Sequence, residues 1–318
     1  MQTKLQESGL KVVVLGTGGT IAGTAQTPAD NVHYSAAQIG VQQLLDAVPA
    51  LAGESLEAEQ VAQLDSKDMD YDVWLKLAQR IEFHLRRDDV AGVVVTHGTD
   101  TLEETAYFLQ RVLAPRKPVV FTAAMRPANA MLRDGPQNLF DAVGVARIDC
   151  AQGVVAVLAG AVHGALDVRK VHSYRVDAFG SGDAGVLGRI EEGHLRRLRD
   201  WPSGTPIGLD RLGLDVTAWP LVEIITGHAG VGGALVQAAI GQGVRGLIVA
   251  GPGNGSVHHK LEAALRFAQQ RGLLIWRCTR CADGPVFDEP GVPFASAGSL
   301  TPVQARIEML LTLLTAPD

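Results

Sequence analysis

Cysteine, aromatic residues, positive charge and long apolar runs are all in short supply in this chain. Three cysteines in 318 residues do not make a disulfide framework, and their scarcity fits a reducing compartment. Two of them, Cys278 and Cys281, form a lone "CTRC". Zinc needs a second pair or two well-spaced histidines, and none accompanies it. Reduced thiols without a role are the plain reading, and a local disulfide or redox role is the alternative. The formal net charge of -6 argues against nucleic acid as a partner, because phosphate binding needs a basic surface. Basic residues do gather in "HLRRLR" at 194–199, but acidic residues flank them, so a solvated helix end is expected. No apolar run reaches the ~18–20 residues that a membrane-spanning helix requires. The opening "MQTKLQESGL" lacks the apolar core of a signal peptide, so a cytoplasmic protein with no membrane association is expected.

Core-forming material, by contrast, is ample: 47% of residues are apolar and 19% charged. The length is natural for two domains of roughly 100–200 residues each. Short continuous apolar runs at 12–15, 92–96, 118–123 and 154–159 suit parallel strands covered on both faces. Amphipathic segments lie between them. "DVWLKLAQRIEFHL" (72–85) is apolar near every third or fourth position, and "GPQNLFDAVGVARI" (135–148) reads as another helix. "TLEETAYFLQRVL" begins with Thr101 and has Glu104 three residues on, the signature of a capping box. Strand–helix alternation of this kind makes an α/β fold with a mainly parallel sheet.

The rhythm breaks over 191–214, which is richer in Gly, Pro and charge than its flanks. The expected organisation is a larger N-terminal α/β domain over 1–192, a linker over 193–214 and a smaller C-terminal α/β domain over 215–318. In the latter, helices are expected in "GGALVQAAIGQG" and over 260–271, and strands in "VRGLIVAGPGNG" and "GLLIWRC". A last helix starts with Thr301 as N-cap and Pro302 at its first position.

Open parallel sheets bind ligands beyond the carboxyl ends of their strands. The loops that follow the strands are "GTGGTIAG" (16–23), "THGTDT" (96–101), "AAMRP" (123–127), "GAVHGALDVRK" (160–170) and, in the second domain, "GPGNGS" (251–256). For the first, the phosphate-cradle reading is weak. A dinucleotide fingerprint fails where Ile21 stands in place of its third glycine, and no Gly-Lys-Ser/Thr follows. Gly16, Gly18 and Gly19 instead give the chain freedom to project Thr20 toward a ligand. A threonine hydroxyl is a poor nucleophile without a base and oxyanion donors. The second loop offers Thr99, Asp100 and backbone N–H groups, and Lys170 offers a base if its surroundings lower its pKa. Each has a plain structural reading alone: a turn threonine, a helix cap, a surface lysine, and for His97 a satisfied core histidine. Their shared position at successive strand ends is what points to chemistry.

These stretches resemble the bacterial-type L-asparaginases. "TGGTIAG" and "THGTDTLEETAYFL" are similar to that family's two signature motifs, and "AMRP", "DGPQNL", "DVRK" and "GPGNG" match in order. The resemblance runs from Lys11 to Leu314. It implies hydrolysis of L-asparagine, and in some members L-glutamine, with no metal or organic cofactor and in a homotetramer built from dimers. It implies that Thr20 is the nucleophile that forms an acyl-enzyme and that Tyr34, in "NVHYSAAQIG", lies on a closing loop and assists it. Thr99, Asp100 and Lys170 match a companion triad. Ser66, in "LDSKDM", matches a holder of the substrate carboxylate, Ala124 a residue near the side-chain amide, and Asn254 a residue reaching a neighbouring subunit's site. Two features depart from the pattern. Lys67 stands where an uncharged or acidic residue is usual, and would either strengthen carboxylate binding or pair with Asp100. The segment 282–293 is short where an acidic residue contributed to the neighbouring site is expected, with Asp288 and Glu289 as candidates. Other readings are a broader glutaminase-asparaginase, an amidotransferase subunit, a nucleotide-binding module and a non-catalytic amino-acid sensor.

Overall fold

The computed structural model describes residues 2–4, 9–288 and 290–316. It divides into two compact units, Met1–Leu209 and Asp210–Asp318. Among the described residues, the first unit is built on a nine-stranded sheet. Its strands are β1 (Gln2–Lys4), β2 (Lys11–Gly18), β3 (Leu56–Leu64), β4 (Val90–Thr96), β5 (Val119–Thr122), β6 (Val154–Leu158), β7 (Ala161–Gly164), β8 (Gly188–Glu191) and β9 (His194–Arg197). Their spatial order is β1-β9-β8-β7-β6-β5-β4-β2-β3. The five strands from β6 to β3 run parallel, and the remaining pairings are antiparallel.

Helices cover both faces of the parallel part, as continuous apolar strands require. Helices α1 (Val41–Asp46) and α4 (Gly135–Ala146) share a core cluster with Val12, Val14, Val94 and Val120. Helices α2 (Tyr71–Leu85) and α3 (Leu102–Leu113) pack on each other, α2 against β3 and β4 and α3 against β6. Their contact is specific. Trp74 stacks on Phe108 with ring centroids 4.9 Å apart, and its indole N–H donates to the Thr105 hydroxyl at 2.9 Å. The chain leaving β2 returns to β3 on one side, and the chain leaving β4 goes on to β5 on the other. Between β2 and β4 the connections diverge, which opens the crevice where such sheets bind ligands.

Three parts of this sheet depart from the expected organisation. Strand β3 carries charges in place of an apolar run. It is an edge strand whose Glu57 and Glu59 each take a two-point grip from an arginine, Glu57 from Arg87 just past the end of α2 (2.8 and 2.9 Å) and Glu59 from Arg80 on α2 (2.6 and 2.8 Å). Residues 194–197, assigned to a linker and a helix end by sequence, form strand β9, with Leu195 buried and Arg196 paired to Glu191. Gly164 closes a strand where a simple loop toward Lys170 is expected. Hairpins β6–β7 and β8–β9 turn through Ala159-Gly160 and Glu192-Gly193, all four with positive φ. That is the type I′ arrangement.

The second unit holds, among its described residues, a four-stranded parallel sheet in sequence order: β10 (Val222–Thr226), β11 (Gly246–Gly251), β12 (Leu274–Thr279) and β13 (Ala295–Ser296). Helices α5 (Ala234–Gly241) and α6 (His259–Gln270) pack together, and α7 (Pro302–Thr315) lies against β10 to β12. Thr301 caps α7 in a full capping box with Gln304, and Pro302 is its first residue.

Loop approach at the sheet rim depends on glycine. A Cβ on Gly19 would overlap the Gly98 backbone, and one on Gly98 would overlap the Ser66 side chain. Gly98→Ala is therefore expected to lower unfolding stability by about 1–3 kcal/mol in urea titrations. Gly241→Ala, at an open position at the end of α5, should be neutral or stabilise by up to ~1 kcal/mol. Equal effects at the two sites would refute the packing account.

Candidate active site

Three chain segments converge at the carboxyl ends of β2 and β4. The β2 loop passes through Gly18 and Gly19, both with positive φ, then enters a short 3-10 turn, Thr20–Ala22. The Gly19 amide donates to the Leu64 carbonyl at 2.9 Å, and the Gly19 carbonyl accepts from Ala37 at 3.1 Å. The Thr17 hydroxyl bridges to the Thr96 carbonyl at 2.9 Å, joining the ends of β2 and β4. Ser66 opens a second 3-10 turn, Ser66–Asp68, immediately beyond β3. These ties fix where the hydroxyls of the rim sit.

Thr20 is buried, and its Oγ1 lies 2.7 Å from the Tyr34 Oη. Tyr34 reaches it from a two-residue ladder pairing Thr24–Ala25 with Tyr34–Ser35. That hairpin is docked through Asn129, whose side-chain amide bonds both the N–H (2.9 Å) and the carbonyl (2.7 Å) of Ala25. Thr99 is also buried, and its hydroxyl accepts from the Lys170 Nζ at 2.9 Å. The same ammonium donates to Asp100 Oδ1 at 2.6 Å. Asp100 is half-exposed, and its Oδ2 takes no protein partner among the described residues. Two hydroxyls on adjacent loops thus each have a polar partner, and one oxygen of the half-exposed carboxylate is left uncommitted among the described residues.

Ser66 ties the rim together. Its Oγ accepts from the Asp100 amide at 3.2 Å, which leaves its own proton available. Its carbonyl accepts from the Thr101 hydroxyl at 2.8 Å. Thr101 is the N-cap of α3 but makes no side-chain cap bond. The capping box expected with Glu104 is not formed, because the cap hydroxyl is diverted to Ser66.

Lys67 is exposed, and its ammonium pairs with Asp65 at 2.9 Å and Asp68 at 3.9 Å. The hydrogen bond to Asp65, with the charges of Asp65 and Asp68, raises its pKa. The direct pair with Asp100, one of the two sequence expectations, is not made. Ala124 is fully buried in the loop after β5 and shares a core cluster with Ile21, the neighbour of Thr20. Its loop is pinned by Asp134, whose carboxylate accepts from the amides of Met125 (2.9 Å) and Arg126 (3.0 Å). His97 is a core residue: its Nδ1 bonds the Gly98 carbonyl, its ring meets Phe121 edge-on, and burial lowers its pKa to about 4.

Lys170 does not lie on a simple loop from β6. It sits on a two-residue ladder, Arg169–Lys170 with Phe179–Gly180, beyond the β6–β7 hairpin. Glu103, which sequence reasoning passed over, joins it there. Its Oε2 accepts from the Lys170 backbone N–H at 2.7 Å. Burial pushes the Glu103 carboxyl up to about 7, opposed mainly by that bond. An acidic residue in the first turn of a helix reads in sequence as a partner for the helix dipole, so nothing local signals this contact.

In the second unit, Asn254 pins Phe287, accepting from its N–H at 2.7 Å and donating to its carbonyl at 3.2 Å. Buried Arg277 donates to the carbonyls of Asn254 (2.8 Å) and Phe287 (2.9 Å) and to Asp288 (3.1 Å). Asp288 and Asn254 therefore share one network, and Glu289 lies outside the described residues. Cys278 and Cys281 are free thiols, and burial pushes Cys278 up to about 12. Among the described residues no helix is long and apolar enough to cross a membrane.

Comparison with known proteins agrees with this geometry. A family model described as asparaginase, N-terminal, matches residues 11–202, and one described as glutaminase/asparaginase C-terminal domain matches 221–318. The chain is 37% identical to an L-asparaginase 2 of Bacillus subtilis over 96% of its own length and 83% of the relative's. It is 35% identical to a glutaminase-asparaginase of Pseudomonas fluorescens, covering 96% and 87%. A crystal structure of a probable cytoplasmic L-asparaginase from Campylobacter jejuni superposes with a TM-score of 0.91 at 35% identity, over 97% of this chain and 96% of that one. With both halves matched in order and the similarity running over nearly the whole length, the chain belongs to the asparaginase family.

Proposed function

We propose that this protein hydrolyses L-asparagine to aspartate and ammonia through an acyl-enzyme on Thr20. The observation that carries the reading is the pairing of two buried hydroxyls with polar partners on the rim loops, Thr20 with Tyr34 and Thr99 with Lys170, whose ammonium Asp100 also holds. The Thr20 Oγ attacks the side-chain amide carbon. Its proton leaves by way of the Tyr34 hydroxyl and reaches the departing nitrogen, so ammonia is released and an ester remains. Water, oriented by Thr99 beside Lys170, cleaves that ester and restores the hydroxyl. The free Oδ2 of Asp100 takes the substrate ammonium. Ser66 donates its proton to the substrate carboxylate, and Ala124 borders the amide. The docked hairpin of Tyr34 excludes bulk water from the ester.

The same reading extends to the assembly. The protein works in the cytoplasm as a homotetramer, and Asn254 and Asp288 act at a neighbouring subunit's site, held in shape by Arg277. No metal or organic cofactor enters the reaction. A broader glutaminase-asparaginase activity is the second reading, favoured by the similarity to the Pseudomonas fluorescens protein of that name.

The deciding test is ammonia release by the purified protein from L-asparagine and L-glutamine, side by side. Release from asparagine is expected, and Thr20→Ala should lower kcat by roughly 1,000-fold or more. An unimpaired Thr20→Ala would remove the acyl-enzyme assignment. Lys67→Gln is expected to change KM more than kcat, because Lys67 stands at the charged end of the substrate and touches none of the paired hydroxyls. A change confined to kcat would refute that placement.

A further inference from the structure

We propose that Glu103 is a positioning residue that holds the Lys170 backbone so that the lysine ammonium stays on Thr99 and Asp100. The inference rests on the asparaginase reading for its activity arm only. Lysine is a flexible four-carbon stem ending in a point charge. Anchoring the Nζ alone would leave its hairpin free to carry the backbone away. Here the lysine is held at both ends by one stretch of chain. Thr99 and Asp100 take the Nζ at 2.9 and 2.6 Å. Three residues past Asp100, in the first turn of α3, Glu103 takes the backbone N–H at 2.7 Å.

The Lys170 N–H needs that acceptor. Its strand is a ladder of only two residues per side, and the neighbouring amides of Val171 and His172 both turn to the Ala178 carbonyl. Without Glu103 the Lys170 donor would be left in a half-buried place, which is costly. The carboxyl is largely withdrawn from water, and its pKa stands near 7. The charged groups facing it are Glu104 on its own helix and Arg169 and Lys170 on the hairpin. An ionised carboxylate accepts an amide N–H more strongly than a neutral acid does. The grip on Lys170 is therefore expected to tighten as pH rises through about 7.

The test compares wild type, Glu103→Ala and Glu103→Gln. The glutamine keeps an acceptor oxygen and loses the titration. In asparagine hydrolysis, Glu103→Ala should lose about 10- to 100-fold in kcat, the scale expected when a reacting group is displaced by ~1 Å, with a smaller change in KM. Glu103→Gln should recover most of that loss. The wild-type kcat profile should carry a step near pH 7 that Glu103→Gln lacks. A second readout needs no activity: competitive acetylation of the purified protein by acetic anhydride, with Lys170 quantified by peptide mass spectrometry. Lys170 should be acetylated several-fold faster in Glu103→Ala than in wild type or Glu103→Gln. Should the alanine variant not fold, Glu103→Leu takes its place in both arms. Unchanged Lys170 reactivity in the apolar variant, or a glutamine variant as reactive as it, would overturn the proposal. A wild type that releases no ammonia would sink the asparaginase reading and leave the acetylation arm to decide the role of Glu103.

Discussion

The rim of the first unit depends on a close approach of backbone to backbone. Gly19 leaves β2 and Gly98 leaves β4 so near each other that neither tolerates a side chain, and Ser66 fills the remaining space against Gly98. This contact is local, but it decides the site. It sets the Thr20 turn beside the Thr99 loop and brings the end of β3 under both. The Thr17–Thr96 bond and the Gly19–Leu64 bond hold the same three strand ends from below. Glycine serves here for two distinct reasons: positive φ at 18 and 19, and missing volume at 19 and 98. The crevice itself comes from topology, since the chain departs from β2 and β4 in opposite directions.

Around that contact the polar groups form a chain of single commitments. Thr101 gives up its role as helix cap to bond Ser66, and Ser66 receives the Asp100 amide. Asp100 shares one oxygen with Lys170 and keeps the other open. The Lys170–Asp100 pair is half-exposed on the carboxylate side, so it adds little to folding stability. Its value is geometric: it commits one Asp100 oxygen and holds an ammonium against the Thr99 hydroxyl. Preorganised polar groups of this kind cost no rearrangement at the moment of reaction.

The second unit shows another use of charge. Arg277 is buried, yet its guanidinium meets the carbonyls of Phe294, Asn254 and Phe287 and the carboxylate of Asp288. A buried cation is tolerated when its donors are satisfied in this way. The network gives a Gly- and Pro-rich segment a defined path, and Asn254 closes it with two bonds to Phe287. Within this unit Asn254 and Asp288 are one structural element, although 34 positions separate them in sequence.

Much of this was legible in the sequence where a local pattern has one physical meaning. Continuous Val-rich runs announced β2, β4, β5 and β6, amphipathic spacing announced α2, α3 and α4, and Thr301-Pro302 announced the start of α7. The two signature stretches pointed to Thr20, Thr99 and Asp100, and the structure places all three at the same rim. The failures have equally local causes. β3 carries glutamates, because an edge strand can have its carboxylates covered by arginines on and just past α2. The hairpins at 159–160 and 192–193 have Ala and Glu where Asn or Asp would signal a type I′ turn. β9 looked like a charged helix end because only Leu195 alternates inward. The sequence by itself determined which polar side chains stand at the strand ends and which strands carry them, since those depend on side-chain type and short-range period. Tertiary structure alone decided that Thr101 serves Ser66, that Lys67 turns to Asp65 and that Glu103 holds Lys170. Each of those bonds depends on which segments the sheet brings within 3 Å, and no spacing along the chain encodes that distance.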